Sequence, residues 1–287
     1  MDNNSKDGSI TKIKEYCKGE INVKSKFFSE YPGNKPISVF EYTKDEAEDS
    51  KVDEEFSGLS SNERLVLIKN FENYGFAEGN NIGIRYILDT FNSDYILLLN
   101  NDTVVEKNFL DYLVRVAETD PQIGILGPKI YYYDFQGKSD VIANLGGKIN
   151  LNKYPGYYDL VETKEFQNYK DVIECDWVSG AAMLMKSRDL PIKLLNKELF
   201  FGCEDIDLAL RLKEYGYKSV VVSDSRIWHK EGVSRQKRSS KSIRRALMEV
   251  KSNLTFLKAH NNHYYLFLPL YILQIVKIYM MVILKMN

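Results

Sequence analysis

The sequence predicts an α/β fold in which a mainly parallel sheet is flanked by helices, and three features point to it. Leu65-Val66-Leu67-Ile68 and Tyr95-Ile96-Leu97-Leu98-Leu99 are short apolar runs cut off by Asn70 and by Asn100-Asn101-Asp102, the form of buried strands. Between them Ile82, Tyr86 and Ile87 fall at helical spacing over Asn81 to Thr90, which gives a strand, helix, strand alternation. A length of 287 residues with 44% hydrophobic and 28% charged residues leaves room for one large domain and an added segment at one end.

Taken in order, Met1 to Gly8 is turn chemistry, followed by Ile10, Ile13 and Cys17 on one helical face. Residues 41 to 55 are dominated by acids without periodic apolar positions and read as a solvated loop within an insertion at 33–63. Further strands are expected at Ile123 to Tyr131 and Ser219 to Ser223. Helices are expected at Lys107 to Glu118, at Asp205 to Tyr215 closing on Gly216, and at Lys241 to Lys258.

Lys and Arg total 39 against 40 Asp and Glu, so no overall field draws in nucleic acid. Cys17, Cys175 and Cys203 are odd in number and lack C-x-x-C spacing, which argues against a disulfide framework or a zinc site and for a reducing, cytoplasmic setting. Met1 leads straight into Asp2-Asn3-Asn4-Ser5-Lys6-Asp7-Gly8, without the charged start and apolar run of a secretory signal.

In an open parallel sheet, ligands bind at the carboxyl ends of strands. Asn100-Asn101-Asp102-Thr103 stands at such an end. It reads either as a strand-ending turn or as a metal-binding carboxylate, since magnesium and manganese take few protein oxygens when phosphate and water complete the shell. Glu204, Asp205 and Asp207 crowd the start of a helix, where the dipole favours negative charge. Asp207 and Arg211 are spaced to pair and Leu208 and Leu212 to face the core, which leaves Asp205 for capping or for work as a general base. His229, after another strand, is a structural imidazole or a ligand for manganese or phosphate. Asn73 to Gly83, with Gly75 and Gly79, matches neither common phosphate-loop spacing and serves equally as a tight turn.

Asp2 to Ser9, Asn73 to Gly83, Leu97 to Thr103, Trp177 to Ala182, Phe200 to Arg211 and Trp228-His229 occur in an order that resembles family 2 glycosyltransferases, particularly the rhamnosyltransferase-like branch. The resemblance implies a Rossmann-like GT-A fold, a nucleotide-diphosphate sugar donor, a divalent metal (Mn2+ or Mg2+) and inversion at the anomeric carbon. Asp2, with Asn3, matches the carboxylate motif at the nucleotide base, and Gly79 and Asn80 fall in the second motif on the nucleotide-sugar side. Asn100, Asn101 and Asp102 match the D-x-D motif. There Asp102 is the expected metal ligand, and Asn100 replaces the usual first aspartate near the ribose or sugar. Gly180 and Ala181 resemble the segment beside sugar and acceptor, Asp205 of the Glu204-Asp205 pair resembles the general base, and His229 matches a position that closes on metal and diphosphate. In the family the Asp2 motif follows the second strand, so the chain reads as N-terminally truncated, lacking the first strand, its helix and most of the second strand.

The implied layout is a transferase domain over 1–235, a basic helical linker over 236–262 and an apolar helix over 263–287. Tyr264 to Leu284 is apolar except for Gln274 and Lys277. It follows Arg235, Lys237, Arg238, Lys241, Arg244 and Arg245, which fits contact with the inner face of the cell membrane, as a span or as a helix in its surface. Packing on protein is the competing use, and His260 and His263 read as interfacial turn residues. The activity expected is sugar transfer to a hydroxyl of a surface polysaccharide or lipid-linked glycan. The alternative is a catalytically inactive nucleotide-sugar-binding subunit of a glycan-assembly complex.

Overall fold

The computed structural model describes residues 1–23, 25–27, 35–49, 59–60, 62–153, 156–160, 172–187, 190–230 and 241–286, with the backbone alone described at 241–245, 278–279 and 281–286. The chain forms two compact units, Met1–Ser93 and Asp94–Asn287. Arg235, Lys237 and Arg238 of the expected basic cluster lie outside the described residues, as do the side chains of Lys241, Arg244 and Arg245.

The first unit holds helix α1 (Ser9–Lys18), strand β1 (Ser38–Thr43), helix α2 (Lys44–Asp49), strand β2 (Arg64–Lys69) and helix α3 (Gly75–Thr90). β1 and β2 run parallel with Val39 opposite Leu65. Asp2 continues the pairing on the other side of β2, where its N–H donates to Ile68 O at 2.8 Å and its carbonyl accepts from Asn70 N at 2.9 Å. Ala47, Ile68, Ile82 and Tyr86 form the core of this unit.

The acid-rich stretch expected to be a solvated loop is, through residue 49, β1 and α2, a correction with a local cause. Thr43 and Glu46 form a reciprocal cap: Thr43 N donates to Glu46 Oε2 at 2.7 Å, and Glu46 N to Thr43 Oγ1 at 3.3 Å. Residues 50–58 of that stretch lie outside the described residues. Helix α3 begins at Gly75, six residues before the apolar period starts, because Gly75 takes φ +80 and its N–H donates to Asn73 Oδ1 at 2.9 Å.

The second unit contains strands β3 (Tyr95–Leu99), β4 (Thr103–Val105), β5 (Ile123–Tyr132), β6 (Ile142–Asn144), β7 (Gly147–Ile149), β8 (Tyr157–Asp159), β9 (Val172–Cys175), β10 (Ala182–Lys186) and β11 (Lys218–His229). Its helices are α4 (Phe109–Ala117), α5 (Glu204–Glu214), α6 (Lys241–His260) and α7 (Leu268–Met286), the last preceded by a 3-10 turn at Tyr264–Phe267. The main sheet has the order β3-β10-β5-β11-β4, with β6 on β5 and β9 on β11; β7 and β8 pair separately.

The α/β class and the flanking helices are as expected, but the sheet is mixed rather than mainly parallel. Among its neighbouring strands only β5 and β11 run parallel. β10 returns from a long excursion and runs antiparallel to both β3 and β5, and β4 turns directly out of Asn100-Asp102 to run antiparallel to β11. Phe109, Leu113 and Ala117 of α4 pack on Leu126, Leu184 and Val220 to make the core.

Gly147 shows how tightly the loop before β10 is held. It exchanges two backbone hydrogen bonds with the 176–177 segment, 3.1 Å to Trp177 O and 2.8 Å from Asp176 N, and a Cβ on it would collide with the Trp177 indole. Gly147→Ala is expected to destabilise the protein by about 1–3 kcal/mol through overpacking, read from the denaturant midpoint.

Among the described residues no helix is long and apolar enough to cross a membrane. α7 buries Tyr271 and exposes Ile272, Leu273, Val276 and Met280, which recur at helical spacing. His260, expected as an interfacial turn residue, is the last residue of α6 and bonds the buried Asp207, as described next.

Candidate active site

In the first unit the sequence-selected residues hold one another. Asn3 Nδ2 donates to Gly75 O at 2.8 Å, and Asn3 Oδ1 accepts from Asn70 Nδ2 at 2.7 Å. That amide lies so close to α3 that a Cβ at Gly79 would stand 2.5 Å from Asn3 Nδ2, so Gly79 is there for close approach. Asp2 is nearly buried and its Oδ2 accepts from Ser5 N at 3.2 Å, while Asn80 Nδ2 donates within its own helix to Phe76 O at 2.8 Å.

In the second unit three hydrogen bonds join most of the selected residues. At the end of β3, Asn100 N donates to Ala181 O at 2.9 Å. One residue away, Gly180 N donates to Asp205 Oδ2 at 2.8 Å, and Asp205 Oδ1 accepts from Ile206 N at 2.9 Å. At the β4–β11 end, His229 Nε2 meets Asp102 Oδ1 at 3.0 Å, although 127 residues separate them. The turn between β3 and β4 is closed by Thr103, whose hydroxyl donates to Asn100 O at 2.7 Å, and the Asp102 carbonyl accepts from Lys230 N at 3.0 Å. Asn101 sits exposed at the tip of this turn.

The strand-ending turn forms, and it leaves the Asp102 carboxylate pointing at His229. His229 is buried and Asp102 is about 42% exposed, so the carboxylate keeps an open side. The His229 hydrogen bond holds the Asp102 carboxyl below its ordinary value despite partial burial. A carboxylate oxygen and an imidazole nitrogen this close suit manganese or magnesium, which fill the remaining positions with water and phosphate oxygens. Among the described residues no group of three or more His, Cys, Asp or Glu gathers to form a closed protein cage.

The carboxylates at the start of α5 have divergent fates. Glu204 is pushed up to about 8, first by burial and then by the neighbouring Asp205 charge. Its Oε2 is buried and accepts no hydrogen bond from a described residue. Asp207, almost wholly buried, is raised by burial but held below its ordinary value by His260 and Arg211, with His260 Nε2 2.8 Å from Oδ1 and Arg211 Nε 2.7 Å from Oδ2. The expected Asp207–Arg211 pair and the buried Leu208 and Leu212 are thus as read from spacing. His260 was not legible in the same way. Its signal lies in sharing a face of α6 with Asn253, seven residues before it, next to the buried Phe256 and Leu257.

A family model described as glycosyltransferase like family 2 matches residues 23–251. The chain belongs to that family. Among curated relatives it is 30% identical over 159 residues to the rhamnosyltransferase WbbL of Escherichia coli K12, covering 50% of this chain and 56% of that protein. It is also 30% identical over 166 residues to the low-salt glycan biosynthesis hexosyltransferase Agl10 of Haloferax volcanii, covering 58% and 52%. The chain thus spans about half the length of these two relatives. Among solved structures, GalNAc-T7 crystallised with UDP, GalNAc and Mn2+ aligns with a TM-score of 0.49 at 16% identity, over 70% of this chain and 38% of that one. The family match includes every selected residue of the second unit. Asp2 and Asn3 precede it, and Ser252 to His260 follow it.

The buried Glu204 gives a test by pH. Its folded pKa of about 8 lies above the ordinary 4.5, so the folded state keeps a proton that the unfolded chain releases. Stability is therefore full below about pH 4.5 and falls as pH rises towards 8. Glu204→Gln is expected to remove this part of the fall and to raise the melting temperature at pH 9 relative to the parent, measured by thermal melts across pH.

Proposed function

We propose that this protein is an inverting glycosyltransferase that moves a sugar from a nucleotide-diphosphate donor to an acceptor hydroxyl of a surface polysaccharide or lipid-linked glycan. The observation that carries this is the hydrogen-bonded chain from Asn100 through Ala181 and Gly180 to Asp205, on the same sheet that brings Asp102 to His229. Membership of the family and the rhamnosyl- and hexosyltransferase relatives support the donor class.

Asp205 accepts two backbone N–H bonds at the helix start, which aim its carboxyl group, and as a carboxylate it takes the proton of the attacking hydroxyl. Glu204 beside it keeps its own proton near neutral pH, so the pair offers one base and one neutral carboxyl able to donate a hydrogen bond to a sugar oxygen. Gly180 and Ala181 fix the distance between this base and the Asn100 turn. Asp102 and His229 would hold a divalent cation. When bound, the ion supplies charge to offset that developing on the leaving diphosphate. In this reading Asp2, Asn3, Gly79 and Asn80 serve the nucleotide-sugar side.

Calorimetric titration with UDP, dTDP and GDP, with and without Mn2+, tests the donor assignment. Metal-dependent binding that disappears in Asp102→Ala is expected, and binding indifferent to both metal and mutation would overturn the role of Asp102. Asp205→Asn is expected to keep donor binding and lose turnover by roughly 10²–10⁴-fold. Donor binding without turnover in the parent chain would instead support a nucleotide-sugar-binding subunit.

We also propose that α7 rests against the cytoplasmic surface of the membrane through Ile272, Leu273, Val276 and Met280, all four about half exposed or more. The chain is expected to sediment with anionic lipid vesicles and Leu273→Glu to weaken this. Equal sedimentation of both would count against the helix as the contact.

A further inference from the structure

The turn that presents Glu204 and Asp205 is conformationally unfavourable on its own. Gly202 and Cys203 both adopt the left-handed region, φ +93 and +68, and Cys203 carries a side chain there. Such a conformation persists only where its surroundings hold it. No cap from the Cys203 side chain to the helix contributes.

The hold comes from α6. Cys203 Sγ donates to Asn253 Oδ1 at 2.9 Å, and the Tyr157 hydroxyl donates to the same oxygen at 3.1 Å. Phe201 N donates to Ser252 Oγ at 3.3 Å, one residue before the left-handed pair, and His260 binds Asp207 one turn beyond it. Ser252, Phe256 and Leu257 are buried on this face, and Phe256 meets the Tyr157 ring edge-on at 6.2 Å. Tyr157 in turn meets Trp177 edge-on at 6.4 Å, in the loop that leads to Gly180. One oxygen of Asn253 therefore ties together the turn that carries the base and the tyrosine that braces the loop donating to it.

We propose that Asn253 is a positioning residue: it holds the Gly202-Cys203 turn in its left-handed form and so fixes the Asp205 carboxylate against Gly180. Asn253 lies just beyond the family match, which ends at residue 251. The activity arm of the test rests on the reading of Asp205 as the base; the labelling arm does not.

The labelling arm follows the rate at which iodoacetamide modifies Cys203 in the full chain, read by peptide mass spectrometry, with the buried Cys175 as internal control. Asn253→Ala is expected to raise the Cys203 rate at least about tenfold and leave Cys175 unchanged, because the thiol loses its shorter hydrogen bond, keeping only the 3.6 Å contact with the Tyr157 hydroxyl, and the turn opens. Asn253→Ser, which fills more of the space but is too short to reach the thiol, gives the same readout if the alanine variant does not fold. In the activity arm, release of nucleoside diphosphate from a panel of UDP-, dTDP- and GDP-sugars is expected to lose roughly tenfold to a hundredfold in kcat in Asn253→Ala, with donor KM within about twofold. Cys203→Ala should reproduce that loss. Cys203→Ser, whose hydroxyl donates to the same oxygen, should restore it, a rescue that a general packing role does not predict. Unchanged Cys203 protection, or parental kcat in Asn253→Ala, overturns the proposal. A parent chain that turns over no donor, with Cys203 released by the mutation, leaves the hold on the turn supported and the transferase reading refuted for this panel.

Discussion

The antiparallel placement of β10 between β3 and β5 is the constraint on which the second unit depends. All five of its residues are buried, with Met183 opposite Leu98 on one side and Leu184 opposite Leu126 on the other. A strand buried on both faces and paired on both edges has little freedom of register, since a slip would misfit its side chains against both packed faces and unpair its backbone. Because it runs back against β3, the start of β10 lies beside the end of β3. Ala181 therefore meets Asn100, and Gly180 is free to donate to a carboxylate rather than to a strand. Parallel insertion would have sent Gly180 to the opposite edge of the sheet.

Electrostatics then separates groups that the sequence places side by side. Glu204, Asp205 and Asp207 all stand at the N-terminus of α5, where the helix favours anions, but the helix serves them equally and cannot tell them apart. The distinction comes from partners. Asp205 receives N–H donors from Gly180 and Ile206, Asp207 receives Arg211 and His260, and Glu204 receives burial and the charge of its neighbour. Burial first and the neighbouring Asp205 second raise the Glu204 carboxyl.

Much of this was legible where a single local rule dominates. The runs at 65–68 and 95–99 became β2 and β3, and the i,i+4 spacing of Asp207 and Arg211 became an ion pair. What stayed hidden depended on distant partners or on competing local rules. β1 carries Glu41 among its apolar residues, and the acids beside it suggested solvent. Lys69 binds Glu41 at 3.0 Å, and Glu46 caps α2, so the same acids stabilise regular structure. The direction of β10 cannot be read from Ala182 to Lys186, because a continuous apolar run fits a parallel or an antiparallel place equally. The three site bonds of the second unit span 127, 81 and 25 residues, and no periodicity reaches so far. Asp102 follows β3 as expected, whereas His229, expected after a strand, is the last residue of β11, which runs on past Ser223.

The asparagine at position 100, where the resemblance leads one to expect an aspartate, finds a physical account in the same geometry. What the structure asks of this residue is its backbone: its N–H to Ala181, and its carbonyl to the Thr103 hydroxyl and N–H. Neither bond depends on a side-chain charge, so the loss of a carboxylate leaves the turn intact. It also removes a negative charge from the neighbourhood of Asp102, which would otherwise make that group harder to ionise. Asp102 compensates through His229, whose hydrogen bond favours the charged form. The charge at this turn is thus concentrated on one half-exposed carboxylate with a buried imidazole beside it, and under the proposed metal role such a pair would suit a cation that brings its own phosphate oxygens.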